Sequence, residues 1–283
     1  MHSLSYYLLG VGVFSAALLL LTAATAARDS SPEPSHWKQI EPGLELGEFP
    51  ASKTSSVGDS TIRILRIDPA HFEFKLLNAA AFDPPGWNTV RGWVETHGLV
   101  AAINGSMFQP GGKSTSLMKT SSHTNNGHVT KDNVVLAFEA SGEGDPSVQL
   151  IDRTCQDFPA LRQRYGTLVQ SIRMVSCKGN NVWTQQPRKW GTAAIGSDRQ
   201  GRILFIHCRS PYSVHDLIDM LLELPIDLKR AMYVEGGPES GFYAKSGEFE
   251  LETYGCYETG FWEKDDCEDF WLIPNVVGIS RRL

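Results

Sequence analysis

The sequence predicts an α+β fold. We expect a single domain with a mixed or largely antiparallel sheet and a few interspersed helices, after an N-terminal signal peptide or anchor. Two observations lead there. Apolar and polar side chains alternate at period two along the 283-residue chain far more often than they follow a helical period. The few helical stretches are scattered among these strands instead of alternating regularly with them. A third observation sets the domain limits: the one long apolar run is N-terminal, so the remainder reads as a water-soluble core.

That run, Leu8–Leu21, lies in a stretch from Leu4 to Ala27 without Lys, Arg, Asp or Glu. Ala24-Thr25-Ala26 matches the cleavage pattern of a signal peptide, although no basic residue precedes the run, so an uncleaved membrane anchor is the alternative. The expected organisation is residues 1–27 as signal peptide or anchor, 28–37 as a linker rich in Ser and Pro, and 38–283 as the domain. Arg28 onward is then exported, to a periplasm, a cell envelope or the extracellular space.

The elements follow in order. Thr61–Ile67 and Phe72–Leu77 alternate around Asp68-Pro69-Ala70-His71, which predicts a hairpin. Asn88–Glu95 reads as a helix, and Leu99–Ile103 as a short buried strand ending at Asn104-Gly105. Val134–Phe138 and Val148–Ile151 are strands, Asp157–Arg164 a helix, and Leu168–Val175 another strand. Thr192–Ile195 and Arg202–Ile206 flank Gly196–Gly201, whose composition suits the turn of a second hairpin. Ser213 caps a helix over Val214–Leu224, stopped by Pro225. Ala231–Val234 is a buried strand that delivers Glu235 into Gly236-Gly237-Pro238, and Asn275–Ser280 is the closing strand.

Five cysteines in an exported chain predict two disulfides and one thiol. Cys155 with Cys177 and Cys256 with Cys267 are the simplest pairings, and Cys208, ending the apolar run Ile203–Cys208, reads as the buried thiol. The net charge of −6 hides an asymmetry. Residues 248–269 carry nine acids against Lys264 alone, and residues 161–210 nine basic side chains against Asp198 alone. An anionic ligand would be drawn to the middle of the chain, unless these are simply two solvated patches of opposite sign.

Several chemistries are excluded. HExxH, GxxxxGK[ST] and GxGxxG are absent, and Ser106 in Asn-Gly-Ser-Met-Phe lacks the first glycine of a nucleophile elbow. His123, His128, His207 and His215 lack metal-ligand context. No cofactor or metal is expected. Calcium in the acidic segment is the exception considered, and no EF-hand spacing supports it. No nucleic-acid partner is expected, and membrane contact only through an uncleaved N-terminus.

Two stretches share one form. Leu99–Ile103 ends at Asn104-Gly105, as Ala231–Val234 ends at Glu235-Gly236-Gly237. Each is an apolar strand delivering one polar side chain into a glycine turn. If the two strands are neighbours in one sheet, Asn104 and Glu235 face a common crevice at its edge. Otherwise Asn104 is an Asx-turn residue holding its own backbone.

These stretches also carry a family resemblance. Ala101-Ala-Ile-Asn-Gly-Ser-Met-Phe108 resembles the "NGG-aromatic-F" signature of the phosphodiester glycosidases. Val169–Val175 resembles their "Q-x-x-P-x-L" strand, and Gly191–Phe205 is similar to their "R-T-A-x-G-x-D-x-x-G" hairpin. Tyr233-Val-Glu-Gly-Gly237 is similar to their "L-D-G-G-G-S" strand end, and Pro274–Gly278 to their closing strand. The likeness covers residues 60–281. Glu235 stands where the family has Asp, Pro238-Glu239 replace Gly-Ser, and Gly191 stands near the missing hairpin arginine, with Arg188 and Lys189 just before.

The resemblance implies an exported hydrolase that cleaves a sugar-1-phosphodiester at the anomeric C–O bond, with a carbohydrate–phosphate substrate. A phosphate leaving group is weakly basic, so stabilising its charge matters more than strong acid assistance, and a carboxylate must attack or activate water. Glu235 is the expected carboxylate, with Glu239 as second choice and Asn104 holding a hydroxyl or phosphate oxygen. Arg173, Arg188 and Lys189 are expected phosphate clamps, and the Gly105, Gly236 and Gly237 backbone lies within reach of the ligand. Two other readings stay open: a non-catalytic envelope module binding an anionic polysaccharide, and a metal-dependent hydrolase using the acidic segment.

Overall fold

Alternation at period two is realised as two antiparallel sheets packed face to face, one of 11 strands and one of five. The computed structural model describes residues 36–267 and 270–282, so the readings for residues 1–27 and for most of the linker lie outside the described residues. In the first part of the chain β1 (Trp37–Glu41), β2 (Leu44–Pro50) and β3 (Thr61–Ile67) join the large sheet. Then β4 (Phe72–Asn78), helix α1 (Val90–His97) and β5 (Ala101–Asn104) belong to the small sheet and its outer face. The chain returns to the large sheet with β6 (Met118–Lys119), β7 (Thr124–Asn126), β8 (Val134–Ala140) and β9 (Val148–Asp152). A short helix α2 (Phe158–Leu161) leads to β10 (Tyr165–Arg173), β11 (Trp190–Asp198) and β12 (Ile203–Tyr212). Helix α3 (Val214–Glu223) precedes β13 (Leu228–Gly236), the last strand of the large sheet. Finally β14 (Gly241–Ser246), β15 (Phe249–Tyr254) and β16 (Asn275–Arg281) complete the small sheet.

The main core fills the space between the sheets. Leu65, Ile195, Phe205 and Met232 from the large sheet meet Phe74, Ile103, Phe242 and Val277 from the small one. Helix α3 covers the outer face of the large sheet with Val214, Leu217, Ile218 and Leu221 against Ile64, Ile206 and Tyr233. Helix α1 covers the small sheet with Val90, Trp93 and Val94. Both faces of the central strands are therefore buried, so their runs read as nearly continuous apolar sequence.

Local signals placed most boundaries. Thr89 caps α1 by accepting from the Gly92 amide, and Gly98 ends it in the left-handed region at φ 61°. Ser213 caps α3 by accepting from the Asp216 amide. The second expected hairpin forms between β11 and β12. The disulfides Cys155–Cys177 and Cys256–Cys267 are present, and Cys208 is a buried free thiol.

Three expectations are corrected. One sheet is replaced by two, while the largely antiparallel pairing holds: every strand pair among the described residues is antiparallel. The Asp68–His71 turn does not close a hairpin: β3 pairs with β2 and β12, whereas β4 pairs with β16 in the other sheet. Alternation reveals a strand but not its partner. The helix expected over 157–164 shrinks to Phe158–Leu161, because Tyr165 already enters β10.

The central core position offers a stability test. Phe205 is fully buried and meets Phe74 edge-on at 6.3 Å. Phe205→Ala is expected to cost about 3–5 kcal/mol in urea unfolding, with little change in slope.

Candidate active site

The polypeptide passes from the large sheet to the small one between Gly236 and Gly241, and the site is built on this passage. Near its end β13 carries an irregularity: Ala193 opposes Glu235 and Ala194 opposes Tyr233, leaving Val234 without an opposite residue. Bulges of this kind re-aim side chains at the end of a strand. Val234 packs into the inter-sheet core, while Tyr233 and Glu235 both line a cavity outside it. Gly236 and Gly237 are then required. A Cβ on Gly236 would lie 2.2 Å from the Tyr233 hydroxyl, and Gly237 adopts φ 64° with Glu258 Oε2 2.5 Å from where its Cβ would be.

Asn104 braces the turn that follows. Its Nδ2 donates to the Glu239 carbonyl at 2.9 Å, and its Oδ1 accepts from the Gly241 amide at 2.7 Å. Beneath the turn, the buried His207 contacts Ser240 Oγ at 3.5 Å and Thr253 Oγ1 at 3.2 Å, joining the two sheets. Burial, reinforced by Arg63, pushes the His207 pKa down to about 3, so the ring is neutral.

The cavity has a volume of about 320 Å³ and is lined by Phe108, Arg188, Trp190, Tyr233, Glu235, Gly236, Glu239 and Glu258. Glu235 is half-buried, and its Oε1 accepts from the Gly236 amide at 3.1 Å. Desolvation is the main cause that raises its pKa, to about 8; Glu239 and Glu258 add to the rise, and the Gly236 amide opposes it. Glu235 therefore carries a proton at neutral pH. The Glu239 pKa is also raised, by burial and by Glu258. The one cation on the wall is Arg188, which pairs with Glu258 at 2.7 Å and lies over the Trp190 ring.

Glu258 belongs to the acidic segment, which is not an independent surface patch. The Cys256–Cys267 disulfide closes its residues 256–267 into a loop, and Thr259 and Tyr257 bond to the backbone of Lys189 and Gly191. Arg209 pairs with Asp265 at 2.6 Å. Glu258 and Asp265 of this loop thus neutralise Arg188 and Arg209 of the basic segment.

The structure brings together Glu235, Glu239, Arg188 and Gly236 among the residues expected from sequence. Gly237 abuts the same cavity through Glu258, but Asn104, Gly105, Arg173 and Lys189 are not brought there. Asn104 sits in β5 of the small sheet, not beside β13, so no crevice is shared at one sheet edge. It is neither a ligand-facing residue nor a self-contained Asx turn: its amide holds a distant backbone. Gly105 donates its amide to the Asn275 carbonyl. Arg173 is bonded to Asp152 and Thr154 and lines a separate cavity with Lys131 and Trp183. Lys189 lines another, with Tyr212 and Asp216. Sequence reasoning missed Glu258, Trp190, Tyr233 and Phe108 as site residues. The Cys256–Cys267 pairing was the available signal for Glu258, because a closed loop on an acidic run has few places to go. Among the described residues, the only ligand-type atoms grouped tightly enough for a shared ion are those of Asp152, Cys155 and Cys177, and the two cysteines are disulfide-bonded.

The family pattern of the phosphodiester glycosidases matches residues 97–280. The chain belongs to the phosphodiester glycosidase family. The stretches that resemble phosphodiester glycosidases lie on β5, β10, the β11–β12 hairpin, the end of β13 and β16. The zebrafish N-acetylglucosamine-1-phosphodiester α-N-acetylglucosaminidase catalytic domain, in a form auto-inhibited by its pro-peptide, shares the fold with a TM-score of 0.58. It is 12% identical over 87% of this chain and 86% of its own. A hypothetical protein from Synechocystis gives a TM-score of 0.55 at 12% identity, over 87% of this chain and 63% of its own. No curated protein matches by sequence.

Two outcomes are expected. Folded, Glu235 holds its proton to about pH 8, whereas its ordinary value is 4.5. The folded state binds the extra proton between these values, so this carboxyl's contribution to stability is lost as pH rises from about 4.5 to about 8. Glu235→Gln should flatten that decline, seen as a smaller difference in melting temperature between pH 5 and pH 9. Asn104→Ala leaves the Gly241 amide and the Glu239 carbonyl unpaired and should cost about 2–4 kcal/mol in denaturant unfolding.

Proposed function

We propose that this chain hydrolyses a sugar-1-phosphodiester at the anomeric C–O bond, releasing the sugar and a phosphomonoester. The observation that carries this reading is Glu235, held protonated in a cavity it shares with two further carboxylates, at the strand end where the family's acidic residue stands. Glycoside cleavage needs one protonated carboxyl and one carboxylate, and burial supplies the first at Glu235.

The raised Glu235 pKa supports roles that differ from the sequence expectation. Glu235 is the acid: it gives its proton to the phosphate oxygen as the C–O bond breaks. Glu239 is the carboxylate that attacks the oxocarbenium-like carbon or activates water beside it. Arg188 exchanges Glu258 for the departing phosphate, whose two free oxygens match its guanidinium. Trp190, Tyr233 and Phe108 supply flat apolar walls for the sugar ring. The two disulfides suit an oxidising compartment. Together with the N-terminal apolar run they support a secreted or envelope location.

An aryl or nucleotide sugar phosphodiester is the direct assay, run with and without EDTA. Glu235→Gln should remove turnover while the protein stays folded, and the parent's rate should fall as pH rises through about 8. Arg188→Met should lower kcat/KM by about 10- to 100-fold, the size of a lost charge-assisted hydrogen bond. Undiminished turnover by Glu235→Gln rules out this assignment, and loss of activity in EDTA points instead to metal-dependent hydrolysis.

A further inference from the structure

Strand β13 ends at Glu235–Gly236, and its beginning lines a different cavity. This second cavity has a volume of about 320 Å³ and is lined in part by Gln149, Ser197, Gln200, Lys229 and Arg230. Ser197 and Arg230 are register partners across β11 and β13. Arg230 is half-buried, and its Nε is sealed from solvent with no hydrogen-bond partner. Among the described residues, every other half-buried arginine side chain has an ion pair or a hydrogen bond; Arg230 has neither.

The acids nearby are already engaged. Asp152, which acts on Arg230 electrostatically, is bonded to Arg173 and Thr154. Asp198, on the cavity wall, accepts from the Arg202 side chain and from the Gln200 and Arg202 amides. Exposed Lys229 has no carboxylate within ion-pair distance among the described residues. A half-buried charge whose acidic neighbour is already paired with another arginine is costly, and an ion from solution can lower that cost.

We propose that this cavity binds a phosphate-type oxyanion, held by the Arg230 guanidinium and the Lys229 ammonium, with the Ser197 hydroxyl beside them. The planar guanidinium suits two oxygens of one phosphate, and Lys229 adds a point charge. Five residues of strand separate Arg230 from Glu235, about 17 Å, so a small anion here does not touch the cavity of Glu235. Free phosphate and the phosphates of an anionic polymer present the same chemistry.

Isothermal titration with inorganic phosphate, and separately with a short poly(glycerol phosphate), tests the site. The Arg188→Met protein serves as a second parent, so that phosphate in the Glu235 cavity is told apart. Both parents should bind phosphate, and adding Arg230→Met should weaken binding at least about tenfold. In phosphate-free buffer Arg230→Met should melt no lower than its parent, because it removes a half-buried charge that has no ion pair, and this also shows that it folds. Tighter binding of the polymer than of phosphate, lost in Arg230→Met, supports the site with a polymer as its source; equal binding supports it with free phosphate. Phosphate binding that is absent from the Arg188→Met parent, or unchanged by Arg230→Met, overturns the proposal.

Discussion

The side-chain amide of Asn104 holds the exit of the turn that carries Glu239, bonding the Glu239 carbonyl and the Gly241 amide, and the site depends on that hold. The backbone must leave one sheet at Gly236 and enter the other at Gly241, and its polar groups are largely buried on the way. A buried carbonyl and a buried amide each need a partner. One asparagine in β5 supplies an acceptor and a donor together, which no aliphatic side chain of similar size can do. His207 supports the same turn from below and, being neutral, adds no charge beneath the acids.

Electrostatics then follow from where the acidic loop docks. In sequence, opposite charges are concentrated in separate segments; in space, Arg188–Glu258 and Arg209–Asp265 join them. The cavity is therefore not a cationic funnel. It is an acid-rich pocket in which desolvation and mutual repulsion keep a proton on Glu235. That arrangement suits the proposed proton transfer better than simple capture of an anion, and a half-buried arginine without an ion pair lies elsewhere, near the start of β13.

Much of the fold was legible because local signals were strong. Thr89, Gly98 and Ser213 mark helix ends by hydrogen bonds made within one turn, so the chain itself contains both partners. Strands β3, β4, β8 and β16 show alternation or apolar runs that survive without context. Strands β1, β2, β6, β7, β14 and β15 were missed: β6 and β7 are only two and three residues long, whereas β2 and β15 do alternate, so their pattern was present in the sequence without being taken up. Pairing was not legible for β3 and β4, since alternation carries no information about which edge a strand will meet.

For the site, the sequence by itself determined the position of Glu235 at a strand end and the two glycines behind it. It also determined the disulfide spacing and the family. Those are properties of consecutive residues. Only the tertiary structure decided what stands around Glu235. It brought Glu258 in from a distant loop, took Arg173 and Lys189 into other cavities, and turned Asn104 from a ligand contact into a backbone brace. Each of these is a through-space relation between separate segments of the chain, set by how strands and loops pack — and desolvation, which sets the proton on Glu235, exists only once that packing has closed.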